Sequence, residues 1–175
     1  MSRFGDGECE CQFGCQNSCR RFELWQANVR RAIDGRRGQQ FFRDFIQALE
    51  TLPSKRLIAG AICAEGEVCA IGAYAAFKAV QQRTSTSMAE AIYKLETIYP
   101  GWRDENGYVH PGEFGDDSEN YGEDQETADL GAHYGMARVL AWQVAEYNDE
   151  WWDGSPEQRY EQALAWARSK LRGLT

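Results

Sequence analysis

Residues 57–82 read LIAGAICAEGEVCAIGAYAAFKAVQQ, and how this run divides decides the fold. Glu65-Gly66-Glu67 is a turn signal set between two apolar stretches. The second stretch, Val68 to about Gln82, is dominated by alanine, the strongest helix former, and predicts a buried helix. The first, 57–64, is apolar and alanine-rich, so strand and helix both remain open. A pair of strands around Gly66 is the alternative, which leaves room for a small β-hairpin near 57–72.

Working outward, the flanks repeat at helical spacing. Ser18 is placed to cap a helix running to about Ile33, with Phe22, Trp25, Val29, Ala32 and Ile33 on one stripe. Asp34-Gly35 stops it. A second helix spans about Arg37 to Leu52, burying Phe41, Phe42, Phe45, Ile46 and Leu49, while Arg43, Asp44, Gln47 and Glu50 face water. The two form a helical hairpin. Downstream, Thr86 or Ser87 opens a helix carrying Met88, Ile92, Leu95 and Tyr99 in register, stopped by Pro100-Gly101. Residues 101–127 read as a long acidic loop, and a loop of that length is usually functional. One continuous helix is expected over about 127–148, and Ser155-Pro156-Glu157 starts the last, which runs to about Arg172. The expected fold is mostly α: a compact bundle of about five to six helices in a single domain over 1–175, with a Cys-rich N-terminal arm at 1–17.

Composition bounds the function. The net charge is -8, split between residues 1–60, with 10 Lys+Arg against 7 Asp+Glu, and the strongly acidic remainder. The plain reading is a soluble acidic protein, and the sharper one an acidic face that docks a basic partner or imitates nucleic acid. The pairs Arg20/Arg21, Arg30/Arg31 and Arg36/Arg37 give the first two helices a basic edge, but the excess there is too small to argue for phosphate contacts alone. No stretch approaches the ~18 apolar residues of a membrane span. The opening MSRFGDGECEC lacks the apolar run of a signal peptide, so a cytosolic setting is expected, where structural disulfides are disfavoured.

Four cysteines, Cys9, Cys11, Cys15 and Cys19, crowd into CECQFGCQNSC. Zinc takes four thiolates tetrahedrally, and Cys15 and Cys19 lie one turn apart where the first helix begins. A structural zinc staple is the leading expectation, with disulfides and unlinked thiols as alternatives. Cys63 and Cys69 read as small buried apolar residues. A thiol enzyme would need Cys69 beside a base, and His133 is the candidate, though a core or boundary role is the commoner fate of such a histidine. His110 is expected in solvent. In the acidic loop, a calcium site counted from Asp116 fails, because glycine falls at position 7 and Thr127 at position 12. The loop instead supplies candidate partner-binding residues: Trp102, Asp116, Asp117, Glu119, Tyr121, Glu123 and Asp124. Trp151-Trp152 is either a core plug or an exposed patch.

The stretch RRAIDGRRGQQFFRDFIQALETLPSKRLIAGAICAEGEVCAIGAYA, with Asn148-Asp149-Glu150 and Pro156-Glu157-Gln158-Arg159-Tyr160 further on, resembles a set of uncharacterised bacteriophage and prophage proteins. Their pattern is roughly R-G-R-R-G-Q, L-P-x-K-R-L-I-A, G-x-V-C-A-L-G-A, N-D-E and P-E-x-R-[WY]. The resemblance covers roughly 28–76 and 130–168 and implies phage origin and action in the host cytoplasm or as part of the virion. It brings no established activity. The cysteine run and the acidic loop lie outside the pattern. The expected function is therefore a non-enzymatic protein that binds a host or phage protein, as an inhibitor of a host system or an accessory of the particle. The Cys69/His133 enzyme and nucleic-acid binding through the arginine pairs stand as alternatives.

Overall fold

The computed structural model describes residues 16–105, 109–111, 123–151 and 154–172. In chain order the elements are α1 (Gln16–Asp34), α2 (Arg36–Thr51), β1 (Cys63–Ala64), β2 (Glu67–Val68), α3 (Ala70–Gln81), α4 (Met88–Ile98), β3 (Gly101–Arg103), β4 (Val109–Pro111), α5 (Glu123–His133), α6 (Arg138–Glu146), a π-turn (Tyr147–Trp151) and α7 (Pro156–Lys170). The fold is mostly helical, with two small antiparallel strand pairs.

The alanine-rich run is the axis of the molecule. Nine residues of α3, from Ala70 to Phe77 without a gap and then Ala79, are buried. A helix apolar on every side must be enclosed, and α2, α4, α5 and α6 all pack on it. Its small side chains let those neighbours come close. Both readings of the 57–82 run hold at once. The helix forms, and a two-residue hairpin precedes it, pairing Cys63 with Val68 and Ala64 with Glu67. Glu65 (φ 53°) and Gly66 (φ 76°) both take positive φ, the type I′ turn whose twist matches a hairpin.

The first two helices are joined by Gly35 alone. Helix α1 starts at Gln16, so Ser18 lies inside it rather than capping it. On α2, Phe41, Phe42, Phe45 and Leu49 enter the core as expected, and Ile46 is partly buried against it. Asp44 does not face water: it is 7% exposed, accepts from Gln40 Nε2 at 2.7 Å, and pairs with Lys78 Nζ of α3 at 3.0 Å. Lys55 turns back to donate to the Glu50 and Leu52 carbonyls, capping the negative end of α2.

Two further expectations are corrected. The segment 101–127 is not all loop: β3 and β4 pair Gly101 with Pro111, Trp102 with His110 and Arg103 with Val109, and α5 begins at Glu123. Nor is 127–148 one helix. Gly135 takes φ 89°, its N–H donates to Ala132 O and the Met136 N–H to Gly131 O, each at 3.0 Å. That is the Schellman ending, and the glycine that allows it separates α5 from α6. The start of α7 follows the sequence signal: Ser155 Oγ accepts from Gln158 N–H, the Gln158 side chain accepts from Ser155 N–H, and Pro156 fills the first turn. No helix among the described residues is long and apolar enough to cross a membrane.

Candidate functional site

Four separated stretches meet at one polar knot. The π-turn sets Asn148 1% exposed. Its Oδ1 accepts from the Ala70 N–H at the start of α3 (3.1 Å), and its Nδ2 donates to Ile58 O (2.8 Å) and to Asp149 Oδ1 (2.7 Å). Those partners fix the orientation of the amide. Asp149 Oδ1 also accepts from Gly60 N–H at 3.1 Å. From α7, Arg159 donates Nε to Asn148 O (3.0 Å) and a terminal nitrogen to Leu57 O (3.1 Å), while Leu57 N–H donates to Pro156 O (3.0 Å). The segment 57–60 is irregular: the Ile58 N–H donates to Val68 O of β2 at 3.1 Å, and this knot supplies the bonds of Leu57, the Ile58 carbonyl and the Gly60 N–H. Every group of the Asn148 amide is used, so this residue holds the chain.

Cys69 completes the knot as the cap of α3, its Sγ accepting from Gly72 N–H at 3.3 Å. Burial first, and then the negative charge of Asp149, push its thiol from 9.0 up to about 12. Burial likewise pushes the Cys63 thiol up, with Cys69 and Glu96 adding to it. A thiol held protonated at neutral pH is a weak nucleophile. His133 does not supply a base: it sits exposed at the end of α5 with its ring edge-on to Tyr134, and no histidine bonds Cys69 among the described residues. We expect iodoacetamide near neutral pH to leave Cys63 and Cys69 unmodified in the native protein and to modify both in denaturant, read by peptide mass spectrometry. Because the folded Cys69 value is raised, its contribution to stability is full below pH 9.0 and is lost as pH climbs through about 12.

The second locus is the β3–β4 hairpin. Trp102 is 53% exposed and stacks on its cross-strand partner His110, ring centroids 4.3 Å apart and planes 16° from parallel. His110 is therefore not free in solvent: one face lies on the indole, and Nε2 is 3.3 Å from Asp104 Oδ2. Beneath the hairpin, Arg103 pairs with Glu65 (3.3 Å) and Glu67 (3.0 Å), Glu67 with Arg56 (3.1 Å), and Arg56 with Glu157 (2.9 Å). The chain of charges ties the hairpin through the Glu65-Gly66 turn to the start of α7. The fit is close: a Cβ on Gly101 would stand 2.4 Å from Cys63 O. These ties make Trp102 an anchored exposed aromatic.

Of the residues the sequence picked out, Trp102 is thus placed at the surface. Asp116, Asp117, Glu119 and Tyr121 lie outside the described residues; Glu123 and Asp124 open α5, and their side chains are also outside them. The same holds for Cys9, Cys11 and Cys15, for the Cys19 side chain in α1, and for the Trp151-Trp152 side chains. Among the described residues no group of His, Cys, Asp or Glu is assembled to hold a metal. Arg30, Arg31, Arg36 and Arg37 are exposed, with Arg37 reaching Gly135 O at 3.4 Å. In the sequence, Asn148, Asp149 and Arg159 stand within the N-D-E and P-E-x-R-[WY] stretches of the resemblance, and nothing in their spacing points to the knot. Comparison with protein-family models, with curated proteins and with solved structures finds no match.

Proposed function

We propose that this chain is a phage-encoded, non-enzymatic protein that works by binding another protein, as a host-system inhibitor or particle accessory, in the host cytoplasm or carried in the virion. The observation that carries this is Trp102: a large aromatic left more than half exposed yet held by the His110 stack, on a hairpin that a chain of ion pairs through Arg103 ties down. A pre-fixed tryptophan loses little entropy on docking and is the residue type richest in binding hot spots. The segment around it, 101–127, holds nine acidic residues and one arginine, which suits a basic partner. The cysteine run is, on this reading, a zinc staple for the N-terminal arm; elemental analysis with a thiol count tests it, one zinc with four protected thiols supporting it and no metal with reactive thiols removing it.

The test of function is a quantitative pull-down from host and phage-infected lysates with the wild-type protein, Trp102→Ala, and Asp116→Asn/Asp117→Asn/Glu119→Gln. A specific partner retained by wild type and at least tenfold depleted by Trp102→Ala is expected, since a central tryptophan typically contributes about 2 kcal/mol or more. Equal retention by wild type and both variants would remove this surface, and recovery of no specific partner would remove the function.

A further inference from the structure

We infer that the Trp102 hairpin recognises an arginine side chain of its partner, the guanidinium lying on the indole face turned away from His110. This rests on the reading of the hairpin as the binding surface and names the chemistry it takes. An indole has two faces. His110 stacks on one, and Trp102 has no second ring contact among the described residues while remaining 53% exposed. Tryptophan is the best aromatic acceptor for a cation, and arginine stacks on it more readily than lysine because its charge is planar.

The surroundings point the same way. The carboxylate of Asp104 lies against His110, the ring stacked on Trp102, and Glu105, next in the chain, is exposed. Arg103, the one cation of 101–127, is turned onto Glu65 and Glu67 beneath the hairpin rather than presented beside the indole. An apolar anchor docking here would strip water from these carboxylates and return nothing to them. A guanidinium offers five donors in a plane and stacks while its edge bonds a carboxylate. Lysine also meets the indole as a cation, but as a point charge with no flat face it cannot stack and bond a carboxylate through its edge at once.

The experiment uses octa-arginine, octa-lysine and an uncharged Gly-Ser peptide as probes on the full chain at near-physiological salt, followed by titration calorimetry. Since any acidic protein attracts polycations, the readout is the ratio of arginine to lysine affinity. A ratio of about fivefold is expected for wild type, falling to about one in Trp102→Ala and partly kept in Trp102→Phe. Unchanged thermal unfolding of both variants serves as the fold control. A wild-type ratio near one, or a ratio unaltered by Trp102→Ala, overturns the inference. So does a Trp102-dependent dimer in sedimentation without peptide, which would seat a second copy there. If the pull-down depends on Trp102 but the peptide ratio is one, the binding surface stands and the arginine assignment falls. If the ratio holds but no protein is captured, the functional reading alone fails.

Discussion

Replacing Asn148 with leucine is expected to destabilise the protein by about 3–5 kcal/mol, a large share of the roughly 5–15 kcal/mol margin of an ordinary domain. The side chain is 1% exposed and serves two main-chain groups from different parts of the fold, the Ala70 N–H and the Ile58 carbonyl. Leucine matches its volume roughly but offers neither donor nor acceptor, so both groups are left buried and unpaired at about 1–3 kcal/mol each. Asn148→Asp is a sharper probe. A carboxylate still accepts from Ala70 but faces the Ile58 carbonyl and the Asp149 carboxylate with no proton to give. Burial beside a like charge raises its folded pKa above the unfolded value near 3.9. Its protonated form is then the one the fold prefers, so stability is fullest at acid pH and lost as pH rises through the folded pKa. Urea unfolding near pH 4 and near pH 8 should show Asn148→Asp closer to wild type at the lower pH, while Asn148→Leu stays equally far below it at both. Equal loss for the two variants at both pH values would mean the amide only fills space.

What the sequence disclosed and what it hid divide along the range of the interaction. The core face of α2 was legible because Phe41, Phe45 and Leu49 recur at helical spacing. Asp44 misled by its chemical type, yet its place was readable: it stands three residues after Phe41 and four before Ala48, both buried, so it shares their face. Helix starts at Ser87 and Ser155 were legible because a cap is a local hydrogen bond. The strands β3 and β4 were not, since three residues are too short for an alternating pattern to register. Asn148 was beyond reach for another reason. Its partners lie 78 and 90 residues away, and its role is set by which carbonyl and which N–H the packing leaves without a mate. Trp102 could be picked out as an aromatic among acids, but the His110 stack beneath it exists only once the hairpin is paired.

Gly38→Ala pits two effects of opposite sign against each other. In an open helix, alanine for glycine gains about 1 kcal/mol, through lower backbone entropy in the unfolded chain. Gly38 lies in the first turn of α2, and a Cβ there would stand 1.8 Å from the Ala32 carbonyl oxygen and 2.8 Å from that of Ile33. Both obstacles are backbone of α1, so no rotamer change relieves them; the joint at Gly35 has to open. Opening it pulls on the next residue. Gln39 is the bracket of this corner, its Nε2 donating to Ile33 O (3.0 Å) and Lys170 O (2.9 Å) and its Oε1 accepting from Arg172 N–H (2.9 Å). The substitution therefore loosens α1, α2 and the end of α7 together. Overpacking of this kind costs about 1–3 kcal/mol before the lost bracket is counted, and each lost hydrogen bond adds about 1 kcal/mol. The steric side wins, and a net destabilisation of about 2–4 kcal/mol is expected in chemical denaturation. Gln47→Ala, at an exposed position of the same helix, should lie within about 0.5 kcal/mol of wild type. Because the loss is transmitted through Gln39, hydrogen exchange should quicken at the Arg172 amide in Gly38→Ala and remain at wild-type rates in Gln47→Ala. A Gly38→Ala protein as stable as wild type would show that α1 is not seated on α2 at this corner.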